Sequence, residues 1–193
     1  MRVRVVMVGQ DDPKKCTAAR MVRLGTASES RSVSGAGIVL DPFSPRVLLP
    51  RDGRMGSVCA VDCSWRLAGA QFGAGTGASG RRLPPLLAGN PVNYSRASLL
   101  STAEAVAAAL YITGSREAAM GVLSGFRWGH TFYELNAGPL EEYSRARDEA
   151  DVERAAQEFG LPAGPPRPRR QRRRPATGSR DRPRRAPRRR RRS

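Results

Sequence analysis

From Val3 to Val8 the chain is apolar, broken only by Arg4, and Gly9 closes the run. A short β-branched run bounded by glycine predicts a buried strand. After the loop QDDP, the stretch KKCTAARMVRLG reads as a helix stopped by Gly25. Residues 26–35, TASESRSVSG, are turn-rich. GIVL at 37–40 then reads as a second strand ending at Asp41-Pro42. Val47–Leu49 and Val58–Val61 are further short apolar runs, the last ending on Asp62. A strand, a helix and then several apolar strands predict an α/β layer with a mostly parallel sheet.

From about residue 84 the period changes. STAEAVAAALYIT at 101–113 carries a capping box, with Ser101 at the cap and Glu104 three residues on. Val106, Ala109, Leu110 and Thr113 would line one helical face. Ser115–Leu123 reads as a second helix, and Pro139–Gly160 as one or two more, strongly charged and stopped by Gly160 and Pro162. The expected organisation is an α/β part over 1–84, a helical part over 85–160 and a tail over 161–193.

Charge sharpens this division. The 193-residue chain has a net charge of +17, but residues 165–193 hold fifteen of its 34 basic residues and one acid, Asp181. The remaining 19 basic and 16 acidic residues leave a body near +3. The tail has no aliphatic side chain larger than alanine and no aromatic one, so it cannot build a core and is expected to be disordered. Its chemistry is that of a polyanion-binding arm, each arginine that neutralises a phosphate releasing a counterion. No apolar stretch is long enough for a membrane span, and MRVRVVMVGQ lacks a signal-peptide cleavage pattern. Three cysteines without an export signal point to a reducing cytoplasm.

Several motifs invite chemistry. Cys16, Cys59, Cys63 and His130 would make up a zinc set by count, but in an extended CAVDC run Cys59 and Cys63 lie ~13 Å apart, too far for one tetrahedral ion. No metal is expected. GTGASG at 75–80 formally matches a dinucleotide fingerprint, yet RRLPP follows it where a helix should open, so it reads as a flexible loop. His130, within FRWGHTFYELN, reads as a packed structural histidine among aromatic residues. DDPKKCT at 11–17 puts Lys14 and Lys15 at the positive end of a helix, where they oppose the macrodipole unless an anion is near. Asp62 ends the last strand, where open α/β sheets place their ligands; a turn or cap aspartate is the plain alternative.

The segments DDPKKCT, GIVLDP, VDCSW, RLPPLLAGNPVNY, LSTAEAVAAALYI and FRWGHTFYELN occur in this order. In that respect the chain resembles the small-subunit rRNA aminocarboxypropyltransferases of archaea and eukaryotes, over roughly residues 1–145. The resemblance implies a SPOUT-like α/β domain with a deep trefoil knot and an all-helical C-terminal part. It implies S-adenosylmethionine as donor of a 3-amino-3-carboxypropyl group, and ring nitrogen 3 of a pseudouridine, usually 1-methylpseudouridine, as acceptor. By motif position Thr17 would hold the methionine end of the cofactor. Leu40, Pro42 and Trp65 would pack around it, Val61 would touch the ribose through its backbone, and Asp62 would face the reaction centre. Backbone around Leu86 and from Ser101 to Ala105 would cradle the adenine. The partner implied is small-subunit rRNA or a pre-ribosomal particle, and the enzyme a cytoplasmic monomer. Departures are local: Ser95 stands where the family usually has glycine, Ala18 follows Cys16-Thr17 where glycine is common, and residues 68–80 are unusually glycine-rich.

The chemistry so implied is an in-line displacement next to a sulfonium, for which the protein aligns the nucleophile and removes a proton. An aspartate is a weak base in water, so Asp62 would gain from partial burial by Trp65 and the strand ends. An rRNA methyltransferase of the same fold class would share cofactor, knot and RNA. An arginine-tailed ribosome-binding protein would have no cofactor at all.

Overall fold

The computed structural model describes residues 1–9, 16–63 and 76–162. Strand β1 (Arg2–Met7) is followed by helix α1 (Thr17–Arg23), which ends as Gly25 takes a left-handed φ of 72°. Strands β2 (Ser28–Glu29), β3 (Ile38–Leu40), β4 (Ser57–Asp62) and β5 (Gly80–Arg81) complete one sheet in the order β2-β1-β4-β3-β5. Every pairing is parallel. The register sets Met7 against Asp62 and Leu40 against Ala60, so the C-terminal ends of β1, β3 and β4 come together at one edge of the sheet.

Three elements depart from the sequence pattern. β2 forms inside the turn-rich stretch and β5 inside the glycine-rich one; each is two residues long and owes its strand state to the neighbour it pairs with. GTGASG is thus not a free loop at its end: residues 77–79 make a 3₁₀ turn that delivers Gly80 into the sheet. A Cβ at Gly80 would stand 1.9 Å from the Thr76 hydroxyl, so this close approach requires glycine. Val47–Leu49 is buried as its apolarity predicts, but it makes only a single bridge, Val47 to Arg82, before Pro50 opens a 3₁₀ turn.

Among the described residues four helices follow: α2 (Thr102–Ile112), α3 (Arg116–Ser124), α4 (Gly129–Tyr143) and α5 (Glu149–Glu158). The capping box of α2 forms as expected, with Ser101 and Glu104 bonded reciprocally. Its one-sided apolar face does not. Val106 to Ile112 are all buried, because α2 lies between β4 and helices α3 and α4. The alanines let these neighbours approach, and fully buried Leu110 and Ile112 contribute about 1.5–3 kcal/mol each. Pro139 sits inside α4 rather than at a helix start. α5 has its own cap, the Asp148 side chain accepting from the Asp151 N–H. Among the described residues no helix is long and apolar enough to cross a membrane.

Candidate functional site

A cleft opens where β3 and β4 end. Leu40 and Pro42 form one wall and Ala60 and Val61 the floor; the chain after β5 adds Leu83 and Pro84, and the start of α2 brings Leu100, Ser101, Thr102 and Ala105. The corner after β3 is fixed by Asp41, whose carboxylate accepts the Phe43 N–H at 2.9 Å and the Thr76 hydroxyl at 2.8 Å. That sets Pro42 in place. Arg81 also borders the cleft, its guanidinium paired with the nearly buried Asp52 at 3.0 Å.

Asp62 is half-buried beside this cleft, and both its oxygens are engaged. Oδ1 accepts the Thr102 hydroxyl at 2.5 Å, and Oδ2 accepts the Cys16 thiol at 3.0 Å. Cys16 is also the cap of α1, its sulfur accepting the Ala19 N–H at 3.2 Å. Burial pushes the Cys16 thiol up, and the bond to Asp62 pushes it further, so at neutral pH it is protonated and donates. Thr17 Oγ1 accepts the Ala103 N–H at 3.4 Å. The starts of α1 and α2 therefore meet over the end of β4, with Asp62 between them.

The opposite side of the α2 start is held from behind. Glu104 is fully buried and accepts five hydrogen bonds. The Gly89 and Asn90 amides and the Asn90 side chain come from the GNPVNY stretch at 89–94, and the Ser101 N–H and hydroxyl from the cap. From α4, Asn136 bonds both the N–H and the C=O of Leu87 at 2.8 Å, and the Tyr143 hydroxyl donates to the Pro85 carbonyl at 3.0 Å. The segment from Pro85 to Asn90 is thereby pinned at successive points.

The structure brings most of the expected residues together. Leu40, Pro42, Val61, Ser101 and Ala105 line one cleft, while Asp62 and Thr17 reach it through Thr102 and Ala103. Leu86 is fully buried, its carbonyl taken by the Ser98 N–H at 2.8 Å, and it is not part of the cleft wall. Trp65, Lys14, Lys15 and the tail from residue 163 lie outside the described residues. His130 is a correction: it is exposed at the start of α4, and its Nε2 lies 3.3 Å from the Thr131 hydroxyl. Phe126 and Phe132 take the interior in its place. Cys59 packs inside β4 while Cys16 serves Asp62, and no metal-holding cluster occurs among the described residues. Sequence reasoning missed Cys16 and Thr102 as partners of Asp62. The signal for Cys16 was its place at a helix start, the position from which a side chain faces the strand ends.

The cleft combines apolar side chains (Leu40, Pro42, Ala60, Val61, Leu83, Pro84, Leu100 and Ala105) with polar ones: Arg81 and Arg82 are each paired with a carboxylate, and Asp41 accepts the Phe43 N–H and the Thr76 hydroxyl. Residues 38–160 match the family model "Ribosome biogenesis protein, C-terminal". Residues 1–32 match "Possible Fer4-like domain in RNase L inhibitor, RLI", although their one cysteine, Cys16, cannot supply the four thiolates of an iron–sulfur cluster. The chain is 44% identical over 149 residues to the 16S rRNA aminocarboxypropyltransferase of Methanosarcina mazei, covering 75% of this chain and 86% of that protein. Against the enzyme of the same name from Halobacterium salinarum it is 43% identical over 166 residues, 85% of this chain and 99% of the other. The solved structure of the SAM-dependent rRNA:acp-transferase Tsr3 from Vulcanisaeta distributa superposes with a TM-score of 0.74 at 36% identity, covering 83% of this chain and 89% of that one. The ends of β3 and β4, the cleft and the α2 cap all lie within residues 38–160, and the chain belongs to the 16S rRNA aminocarboxypropyltransferase family.

Proposed function

We propose that this cleft holds S-adenosylmethionine and that Asp62 takes the proton from the acceptor base while the chain transfers an aminocarboxypropyl group to small-subunit rRNA. The observation that carries this reading is Asp62 itself, at a strand end, oriented by Thr102 and Cys16 beside an apolar slot. S-adenosylmethionine supplies the 3-amino-3-carboxypropyl group on a sulfonium leaving group. Leu40, Pro42, Val61 and Ala105 would sandwich the nucleoside and exclude water, Thr17 would face the methionine end, and Trp65 would add to the packing. The acceptor is ring nitrogen 3 of a pseudouridine, usually 1-methylpseudouridine. Its proton passes to Asp62, its electron pair forms the N–C bond, and the C–S bond breaks with its pair staying on sulfur, which releases methylthioadenosine. Each Asp62 oxygen has two lone-pair sites and accepts one donor, so each keeps a site for that proton with Thr102 and Cys16 in place.

The sheet part over 1–84 and the helical part over 85–160 would then share the site, acting as a monomer on rRNA or a pre-ribosomal particle. The deep trefoil knot of SPOUT-like domains belongs to this same reading, as does a phosphate-binding role for the arginine-rich tail. The test uses S-adenosylmethionine labelled on its methyl group or, separately, on its carboxyl carbon, incubated with unmodified small-subunit rRNA. Carboxyl label in the RNA with release of methylthioadenosine is expected. Methyl label in the RNA with release of S-adenosylhomocysteine would overturn it.

A further inference from the structure

Between Pro84 and Ser98, which both border the cleft, the chain makes a short hairpin whose tip is exposed. Leu87 bridges Ala97 antiparallel, the Ala88 N–H donates to the Arg96 carbonyl at 3.1 Å, and the Ser95 N–H donates to the Ala88 carbonyl at 2.7 Å. At the tip Asn90 Oδ1 accepts the Val92 and Asn93 amides at 3.1 and 3.0 Å, and Asn90 is itself held by the buried Glu104. Val92 and Tyr94 nevertheless stand 83% and 57% exposed, more than any other large hydrophobic or aromatic side chain among the described residues. Such side chains scattered singly over a surface need no explanation, but two on one rigid turn form a prepared contact. The conformational freedom of the turn is already lost in the free protein, so a partner meets Tyr94 in place.

We propose that the tip over residues 91–96 docks RNA, the Tyr94 ring stacking on a base that flanks the acceptor nucleotide; this deepens the rRNA reading above and rests on it. Composition favours RNA first. Residues 91–96 include no acid and end on the exposed Arg96, so an aromatic face and a cation stand together, one for a base and one for a phosphate. The tip is also joined to the reacting end. Glu104 accepts from Asn90 on one side and from Ser101 on the other, and the next residue, Thr102, donates to Asp62. Reach fits as well: Tyr94 is four residues from Ser98 at the cleft, at most about 14 Å of chain, or about four stacked bases. The chemistry asks for such a contact. Ring nitrogen 3 lies on the base-pairing edge, so the acceptor must be unpaired, and its neighbours lose a stacking partner. An aromatic face restores that stacking without reading sequence. Tyr94 thus positions the acceptor strand and takes no part in the proton transfer.

The test compares Tyr94→Ala, Tyr94→Trp and Val92→Ser in the full chain. Both positions are exposed, so thermal midpoints should stay within about 2 °C of wild type, and calorimetric affinity for S-adenosylmethionine should not change. Affinity for unmodified small-subunit rRNA is measured by filter binding against excess double-stranded RNA. It should fall by about 5- to 100-fold in Tyr94→Ala, fall less in Val92→Ser and be kept in Tyr94→Trp. KM for the RNA should rise in parallel, with kcat at saturating RNA within about twofold of wild type. The salt dependence of binding should keep its slope, since no phosphate contact is removed. Unchanged rRNA affinity in Tyr94→Ala overturns the proposal, as does an equal loss in Tyr94→Trp, which would leave no part for a stacking ring. A loss on pre-ribosomal particles but not on bare rRNA overturns it too, by placing a protein on the tip. A chain that binds rRNA through Tyr94 yet transfers no label from S-adenosylmethionine would bring down the transfer reading and leave the docking element standing.

Discussion

Two carboxylates flank the start of α2, and they are built in opposite ways. Glu104 is fully buried, with five donors, three of them backbone amides from Gly89, Asn90 and Ser101. Asp62 is half-buried and has two, a thiol and a hydroxyl. Backbone donors cannot leave without unfolding the segment that carries them, whereas a hydroxyl or thiol is exchanged by rotating one bond. Glu104 is therefore a fixed anchor and Asp62 an acceptor that can trade partners. The two carboxylates thus differ in both burial and the kind of donor that holds them, Glu104 mostly by backbone amides and Asp62 by side chains alone.

The comparison is broken most directly by Asp62→Asn, which preserves volume and removes the base. Turnover should fall by about 10²- to 10⁴-fold while S-adenosylmethionine affinity holds. Full turnover in labelled-rRNA assays would make Asp62 structural. Glu104→Gln should do the reverse. Its amide nitrogen would confront at least two buried donors, a loss of about 3 kcal/mol read as a lower denaturant midpoint, with cofactor binding failing only as the fold does. Thr102→Val removes one donor from Asp62 at constant shape. Turnover should drop by about 3- to 10-fold with a stability change below about 1 kcal/mol, and a large unfolding effect would place Thr102 with the anchors instead.

The smallest effect is a pH dependence. The Cys16 thiol is held above the ordinary cysteine range, chiefly by burial and then by its bond to Asp62. A raised folded value means that its contribution to stability is complete below that range and is lost as pH climbs through it, when a thiolate would face the Asp62 carboxylate. Cys16→Ser keeps a donor that does not ionise there. Its stability should decline less steeply than wild type above about pH 8.5, with near-neutral turnover within about threefold. Parallel stability curves for the two proteins would refute the link.

How much of this was legible in the sequence depends on distance along the chain. β1 and β4 were readable because their apolar runs carry their own signal, and so was the α2 cap because Ser101 and Glu104 are three residues apart. β2 and β5 were not, since two polar or glycine residues become strand only beside β1 and β3. Half of Glu104 was equally hidden: its cap role is local, but its bonds to Gly89 and Asn90 cross a loop. As cleft residues Leu40, Pro42, Val61, Ser101 and Ala105 came from resemblance; the capping box marked Ser101 as a cap, and nothing local marked any of them as lining a cleft. His130 was misread because aromatic neighbours suggest burial, while the start of α4 turns this one side chain outward. Ser95 was noted as standing in place of glycine, and its φ of 59° supplies the physical reason for that preference.

The ties from α4 to the cleft also bear on how the protein is made. Arg2 pairs with Ser57, Asp62 waits for a donor at residue 102, and Pro85 and Leu87 are not pinned until Tyr143 and Asn136 have been added. A nascent chain that has just emerged through α2 holds all the described strands and the described cleft-lining residues, yet lacks the struts that set the cleft's shape. Such non-local closure folds slowly and leaves the apolar faces of α2 that α3 and α4 will cover exposed to self-association while synthesis continues. Ligand affinity should therefore arrive late and abruptly during elongation, and chains released before residue 143 would be customers for chaperones rather than weak enzymes.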